Sequence, residues 1–343
     1  MYKKLIRPIL FLFNPETAHK FTAAMLRFFG ALPLGRRIIA LFCKVEHPSL
    51  EREVLGIKFP NPIGVAAGLD KDATFYRELS ALGFGFIEVG AVTPRPQPGN
   101  AKPRCFRLKK DRGLINRFGF NNLGMEKMAE RLSAKRKKGI VVGVNLGKNS
   151  DTPNEQAASD YLKSFRALYD SADYFVVNVS CPNVENIGKL QNKDSISEIL
   201  EPMFDFRRGQ NNYRPILVKV SPDLSFEQLD EIVDVLIETP LDGLVATNTT
   251  TSRDNLKTSE KRIKRIGRGG LSGAPLHTRA VEVVRYLHKK TEGNYPIIGV
   301  GGIMSVDEAQ EMLDAGANLI QLYTGFIYEG PSLVKNICKR LIK

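Results

Sequence analysis

Tyr174-Phe175-Val176-Val177-Asn178-Val179-Ser180-Cys181-Pro182-Asn183 reads as a strand that ends in reactive groups. Its first four residues are aromatic or β-branched, as suits a buried strand. Pro182 stops the ladder because it has no N–H to donate. A thiol, a hydroxyl and two amides are thereby left at the C-terminal end. An Asn side chain offers donors and an acceptor, which suits a ring with alternating C=O and N–H groups. A Cys there can take up a proton if its pKa is lowered. The plainer alternative is a turn whose cysteine packs as a small apolar residue.

Similar short apolar runs recur on both sides of this one. They cover residues 63–66, 86–89 and 140–144 before it, and 216–220, 243–247, 297–300 and 319–323 after it. Most gaps carry helical patterns. The helix from Phe226 is capped by Ser225 with Gln228 three residues on. Another begins after Ser305 and is ended by Gly316. Strand-then-helix units repeated through 343 residues predict an α/β fold, a (β/α)8 TIM barrel with an N-terminal helical extension. A doubly wound open sheet is the rival, but no GxGxxG follows the first strand.

In such a barrel the active site lies at the C-terminal strand ends. Those ends carry Ala67-Gly68-Leu69-Asp70-Lys71, Gly90-Ala91-Val92-Thr93, Asn145, the opening Asn178 to Asn183 turn, Lys219, Thr247-Asn248-Thr249-Thr250, Gly301-Gly302 and Tyr323-Thr324-Gly325. One rim thus collects lysines, amides, hydroxyls and glycines. Glycines after strand seven and small residues after strand eight suit a phosphate held on backbone N–H groups. Lys219 sits inside an apolar strand. It is either an ion-paired or snorkelling core lysine, or a fixed cation beside an electron-rich cofactor such as a reduced flavin. Lys71 is open to the same two readings.

The net charge of +13 admits nucleic acid, a membrane surface or an anionic substrate as partner. The basic runs Lys135-Arg136-Lys137-Lys138 and Lys261-Arg262-Ile263-Lys264-Arg265 lack interleaved aromatics. They read as solvated ends, so no nucleic-acid partner is expected. Cys43, Cys105, Cys181 and Cys338 have no paired spacing, which indicates free thiols in a reducing compartment. The four histidines are scattered and no metal is expected.

Residues 1–45 differ from the rest. Asn14 and Pro15 start a helix that places Ala18, Phe21, Met25 and Phe28 at three- and four-residue spacing. Eight Lys and Arg residues lie in the segment, and Glu16 is its only acid. Apolar aromatic faces with basic flanks suit the surface of an anionic bilayer. The apolar run near residue 10 is too short to span one. Residues 1–45 are therefore expected to form a membrane-associating segment and residues 46–343 the barrel.

Several motifs resemble one family. Asn61-Pro62-Ile63-Gly64-Val65-Ala66-Ala67-Gly68-Leu69-Asp70-Lys71 is similar to the first motif of the dihydroorotate dehydrogenases. Thr93-Pro94-Arg95-Pro96-Gln97-Pro98-Gly99-Asn100, Asn116-Arg117-Phe118-Gly119-Phe120-Asn121-Asn122, Ala246-Thr247-Asn248-Thr249-Thr250 and Gly299-Val300-Gly301-Gly302-Ile303 resemble the same family. The N-terminal Asn14-Pro15-Glu16-Thr17-Ala18-His19 resembles class 2, the membrane-associated, quinone-reducing branch.

The resemblance implies FMN, oxidation of dihydroorotate to orotate in pyrimidine synthesis, and a membrane quinone as acceptor. It places the flavin against Ala67, Gly68, Lys71, Ala91, Asn145, Asn178, Lys219 and Thr247, with its phosphate on Gly273, Gly302, Tyr323 and Thr324. Substrate is expected at Lys71, Asn116, Arg117, Phe118, Gly119, Phe120, Asn178, Asn183, Asn248 and Thr249. Peripheral contact with lipid on the cytoplasmic face of a bacterial inner membrane is expected, and the oligomeric state is left open, with a monomer among the options. One departure stands out. Cys181 occupies the place of the catalytic base, where class 2 usually has serine and the soluble class 1 has cysteine. The N-terminus is the better guide to the acceptor, because the base acts in the other half-reaction. Cys181 is thus the expected base, with Ser180 as the fallback base and otherwise a structural neighbour, Lys219 as the cation on the reduced flavin, and residues 184–193 as a lid. A class 1 enzyme using fumarate or NAD is the alternative.

Overall fold

The computed structural model describes residues 2–135, 139–180 and 190–342. Cys181, Asn183 and most of the expected lid lie outside the described residues. The strands are β1 (Ile63–Val65), β2 (Phe86–Val92), β3 (Val141–Leu146), β4 (Tyr174–Asn178), β5 (Ile216–Val220), β6 (Gly243–Ala246), β7 (Ile297–Val300) and β8 (Leu319–Leu322). They close into a parallel barrel in which each strand pairs with its sequence neighbours, and β8 returns to β1 through Ile320 opposite Ile63.

Both faces of every barrel strand are buried, and two cores result. Inside the barrel, Phe59, Phe86, Tyr174, Val176, Leu217, Val245, Ile298 and Leu319 fill the axis. Glycines make the room. A Cβ on Gly143 would lie 2.1 Å from the Tyr174 ring, and one on Gly64 would lie 2.3 Å from Phe86. Outside, Val65, Ile87, Val144, Phe175, Val218 and Ile320 pack against the surrounding helices. The hairpin Arg52–Val54 and Ile57–Phe59 supplies Phe59 to the axial core. A three-stranded antiparallel sheet, Cys105–Leu108, Gly113–Asn116 and Gly270–Gly273, was not foreseen and lies outside the barrel.

The N-terminal segment holds helix α1 (Pro15–Ala31) and helix α2 (Gly35–Cys43). The Asn14 side chain accepts from the Glu16 amide, as its capping role requires. The segment is tied to the barrel domain by specific polar contacts. Arg104 holds Glu16 through two N–H groups at 2.8 and 3.2 Å. Tyr2 Oη donates to the Ile327 carbonyl at 2.6 Å, and Lys3 pairs with Glu329. No helix among the described residues is long and apolar enough to cross a membrane.

Candidate active site

A cleft opens at the C-terminal ends of the barrel strands. Ala66, Ala67, Gly68, Ala91, Gly301 and Gly302 are among its walls, so the strand ends offer a low floor with little side-chain bulk. Seventeen of the expected residues line it: Ala67, Gly68, Lys71, Ala91, Asn116, Phe118, Gly119, Phe120, Asn178, Lys219, Thr247, Asn248, Thr249, Gly273, Gly302, Tyr323 and Thr324. Asn145 does not line the cleft. It lies behind Asn178, whose Nδ2 donates to Asn145 Oδ1 at 3.0 Å. Arg117 turns elsewhere, giving its guanidinium to the carbonyls of Ile266 and Arg268 at 2.5 and 3.0 Å and stacking on Phe106.

The polar groups are fixed by one another. Asn248 Nδ2 donates to Asn178 Oδ1 at 3.2 Å and to Ser180 Oγ at 3.0 Å. Ser180 Oγ in turn donates to the Lys219 carbonyl at 2.7 Å. That hydroxyl is therefore engaged on both sides and buried. It braces the turn after β4 against β5.

Sequence reasoning missed Glu88. It is fully buried on β2 and faces Lys219 Nζ at 3.8 Å. Its other contacts are donors: Asn145 Nδ2 at 2.8 Å and Gln321 Nε2 at 2.5 Å. Lys219 thus resolves as a buried, ion-paired lysine whose side chain also reaches the cleft. The available signal was a lone acid in the apolar run Phe86-Ile87-Glu88-Val89, since a barrel strand has no solvent face to receive it.

Lys71 stands at the other end. Its Nζ donates to the Gly68 carbonyl at 2.7 Å and lies 4.2 Å from the centre of the Phe118 ring. Burial pushes its pKa down to about 8. Gly273 and Gly302 mark a third corner. Both have positive φ, and a Cβ on Gly302 would strike the His277 backbone N at 2.5 Å. Thr324 Oγ1 and Ser272 Oγ share a hydrogen bond of 2.8 Å beside them.

A second chamber of about 830 Å³ lies between α1 and the barrel. Ala18, Phe21, Met25, Leu69, Phe75 and Phe326 contribute to its largely apolar wall, and His19 faces it. Burial and the nearby Lys71 ammonium push the His19 pKa down to about 4, so its ring is neutral at physiological pH. Lys71, Phe118 and Tyr323 line both this chamber and the cleft.

A closed barrel with cations, amides and a glycine corner at the C-terminal rim of its strands is the architecture of a (β/α)8 enzyme. Comparison with known proteins narrows the class. The family model for dihydroorotate dehydrogenase matches residues 49–343. The chain is 51% identical over 343 residues to the dihydroorotate dehydrogenase (quinone) of Christiangramia forsetii, covering 100% of this chain and 99% of that one. It is 47% identical to the protein of the same name from Synechococcus sp. strain JA-3-3Ab, covering 99% and 92%. The crystal structure of DHODH from Eimeria tenella in complex with ferulenol superposes with a TM-score of 0.87 at 34% identity, covering 96% of this chain and 90% of that chain. The chain belongs to the dihydroorotate dehydrogenase family, and is an oxidoreductase.

Proposed function

We propose that this enzyme oxidises dihydroorotate to orotate in pyrimidine biosynthesis, with FMN in the barrel cleft and a membrane quinone as electron acceptor. The observation that carries the reading is the shared wall. Lys71, Phe118 and Tyr323 border both the polar cleft and the apolar chamber beneath α1. Two substrates of opposite polarity can therefore reach opposite sides of one redox group.

The residues fit FMN in kind. Small side chains at Ala66, Ala67, Gly68 and Ala91 leave a slot for a planar ring system. The glycine corner with Ser272 and Thr324 suits a phosphate on N–H and O–H donors. Bound in this cleft, FMN would supply the hydride-accepting and electron-transfer chemistry. Lys219 keeps a positive charge at the cleft, held in place by Glu88, where negative charge develops. Asn178 and Asn248 orient the cyclic ureide through amide donors and acceptors, and their mutual hydrogen bond fixes which atoms face outward. Lys71 supplies the cation for the substrate carboxylate. Cys181, as thiolate, takes the proton from C5 of dihydroorotate. Residues 1–45 associate with lipid and admit the quinone, at the cytoplasmic face of a bacterial inner membrane.

The test is dihydroorotate oxidation by purified full-length protein with a quinone analogue, fumarate or NAD offered separately. Turnover with the quinone and little with the others is expected. Preference for fumarate or NAD would assign the enzyme to class 1 chemistry and leave the chamber without this role. Cys181→Ala should slow reduction of the bound flavin by dihydroorotate by about 10²–10⁴-fold, the usual worth of a general base. Unchanged reduction would remove Cys181 from the mechanism.

A further inference from the structure

A third cavity, of about 530 Å³, lies where the N-terminal segment meets the antiparallel sheet. It adjoins the chamber beneath α1, sharing Phe11, Pro15, Cys105 and Arg107 with it, but its charged walls are basic alone. Arg107, Lys109, Lys110 and Arg262 line it with Phe11 and Asn14, and no carboxylate does. None of the four cations makes an ion pair among the described residues. The nearest acid in sequence, Asp111, accepts from the Lys257 and Thr258 amides and from the Thr258 hydroxyl, so its lone pairs are turned to backbone.

Arg107 is the built part of the site. It is 9% exposed, donates to the carbonyls of Phe13 and Leu10, and lies 4.4 Å over the Phe11 ring. Four like charges around one cavity repel one another unless an anion completes the arrangement. The chain that forms one lip of the cavity continues through Leu12 and Phe13, which are 82% and 53% exposed. Apolar side chains projecting beside a basic cavity match the boundary between acyl chains and headgroups.

We propose that this cavity binds the phosphate of an anionic phospholipid headgroup, with Arg107, Lys109, Lys110 and Arg262 around the phosphate and Leu12 and Phe13 in the acyl layer. The proposal deepens the membrane role of residues 1–45 and rests on it. It adds a specific headgroup site to what would otherwise be non-selective adsorption.

The experiment measures partition of the full-length holoenzyme onto vesicles of phosphatidylcholine alone and of phosphatidylcholine with one-third phosphatidylglycerol. The variant K109A/K110A/R262A is compared with a control, K163A/R208A/K289A, that removes equal charge outside the cavity. Wild type should prefer the anionic vesicles. The cavity variant should lose that preference by at least about tenfold, since each cation near an anionic surface contributes roughly a factor of five. Its binding to phosphatidylcholine and its rate of flavin reduction by dihydroorotate should stay unchanged, which shows that it is folded. Inorganic phosphate at millimolar concentration should not abolish the preference. The proposal is overturned if the cavity variant keeps the preference, if the control loses as much, or if free phosphate competes fully and so marks a soluble anion as the ligand. Failure of wild type to bind either vesicle would instead strike at the membrane role itself.

Discussion

The barrel and the N-terminal segment use the same apolar residue types in opposite ways. In the barrel, Phe86, Phe165 and Phe175 are wholly buried. In residues 1–45, Phe13, Phe21, Phe28, Phe29 and Phe42 are exposed, and so are Leu12, Ile38 and Leu41. Beyond this segment, only Leu123, Tyr213 and Ile237 are large apolar side chains left exposed among the described residues. A folded monomer shows scattered apolar residues, but it rarely concentrates them in one region unless that region has a partner. Part of the stripe expected at Ala18, Phe21, Met25 and Phe28 divides accordingly: Ala18 is buried, while Phe21 and Phe28 are well exposed. Helical periodicity marks an apolar face without saying which solvent that face meets.

Truncating a buried aromatic in the barrel should have the largest effect on stability. Phe175→Ala removes a ring packed 4.7 Å from Phe165 in the core. It should cost about 3–5 kcal/mol in denaturant unfolding, because a cavity is left where close packing was. A cost below about 1 kcal/mol would mean that the barrel core relaxes far more than such cores do.

The seam between the regions should give an intermediate effect. Burial would raise the Glu16 carboxyl, but the Arg104 hydrogen bond and the charges of Arg104 and Lys102 outweigh it and hold the pKa below the usual range. The unfolded carboxyl therefore binds protons more readily than the folded one. Stability from this pair is present above the ordinary carboxylate range and is lost as pH falls through the lowered value. Glu16→Gln should loosen the docking of α1 by about 1–3 kcal/mol, the range for a hydrogen bond to a charged group. Hydrogen exchange in α1 should rise while exchange in the barrel strands stays unchanged.

Much of this was legible in the sequence because a parallel barrel writes itself as continuous apolar runs. All eight runs became strands, with ends shifted by no more than three residues. The cleft was legible for a related reason, since its groups follow those strands directly. The antiparallel sheet was not, because Cys105–Leu108 alternates a charged Arg107 with apolar residues and Gly270–Gly273 carries little side-chain signal. Glu88 was hidden by the opposite problem. One acid in a strand resembles a solvent-facing position until closure of the barrel turns that face inward. The shared wall between cleft and chamber joins residues as distant in sequence as Lys71 and Tyr323, and only the fold brings them together.

Lys71 lies where the two regions touch. With burial lowering its pKa to about 8, the ammonium is present below that pH and is lost above it. If it holds the substrate carboxylate, KM for dihydroorotate should be flat below pH 8. Above it, KM should rise by up to about tenfold per pH unit. Lys71→Met should give a high KM at every pH and abolish the inflection. An inflection that survives in the variant would move the titrating group elsewhere.

The smallest effect on stability is expected where the apolar surface is largest. Phe28→Ser and Leu41→Ser change side chains that are 61% and 78% exposed. Because these faces bury little against the protein, each should alter unfolding free energy by no more than about 0.5 kcal/mol. The same substitutions remove exposed apolar area, so if residues 1–45 bind lipid as proposed, partition onto phosphatidylcholine vesicles should fall by about tenfold for the pair. Quinone turnover should fall at limiting vesicle concentration, while reduction of the flavin by dihydroorotate is unaffected. If instead the substitutions destabilise the fold by several kcal/mol, these side chains are buried in solution, and the contrast between the two regions would be a matter of a missing protein partner and not of lipid.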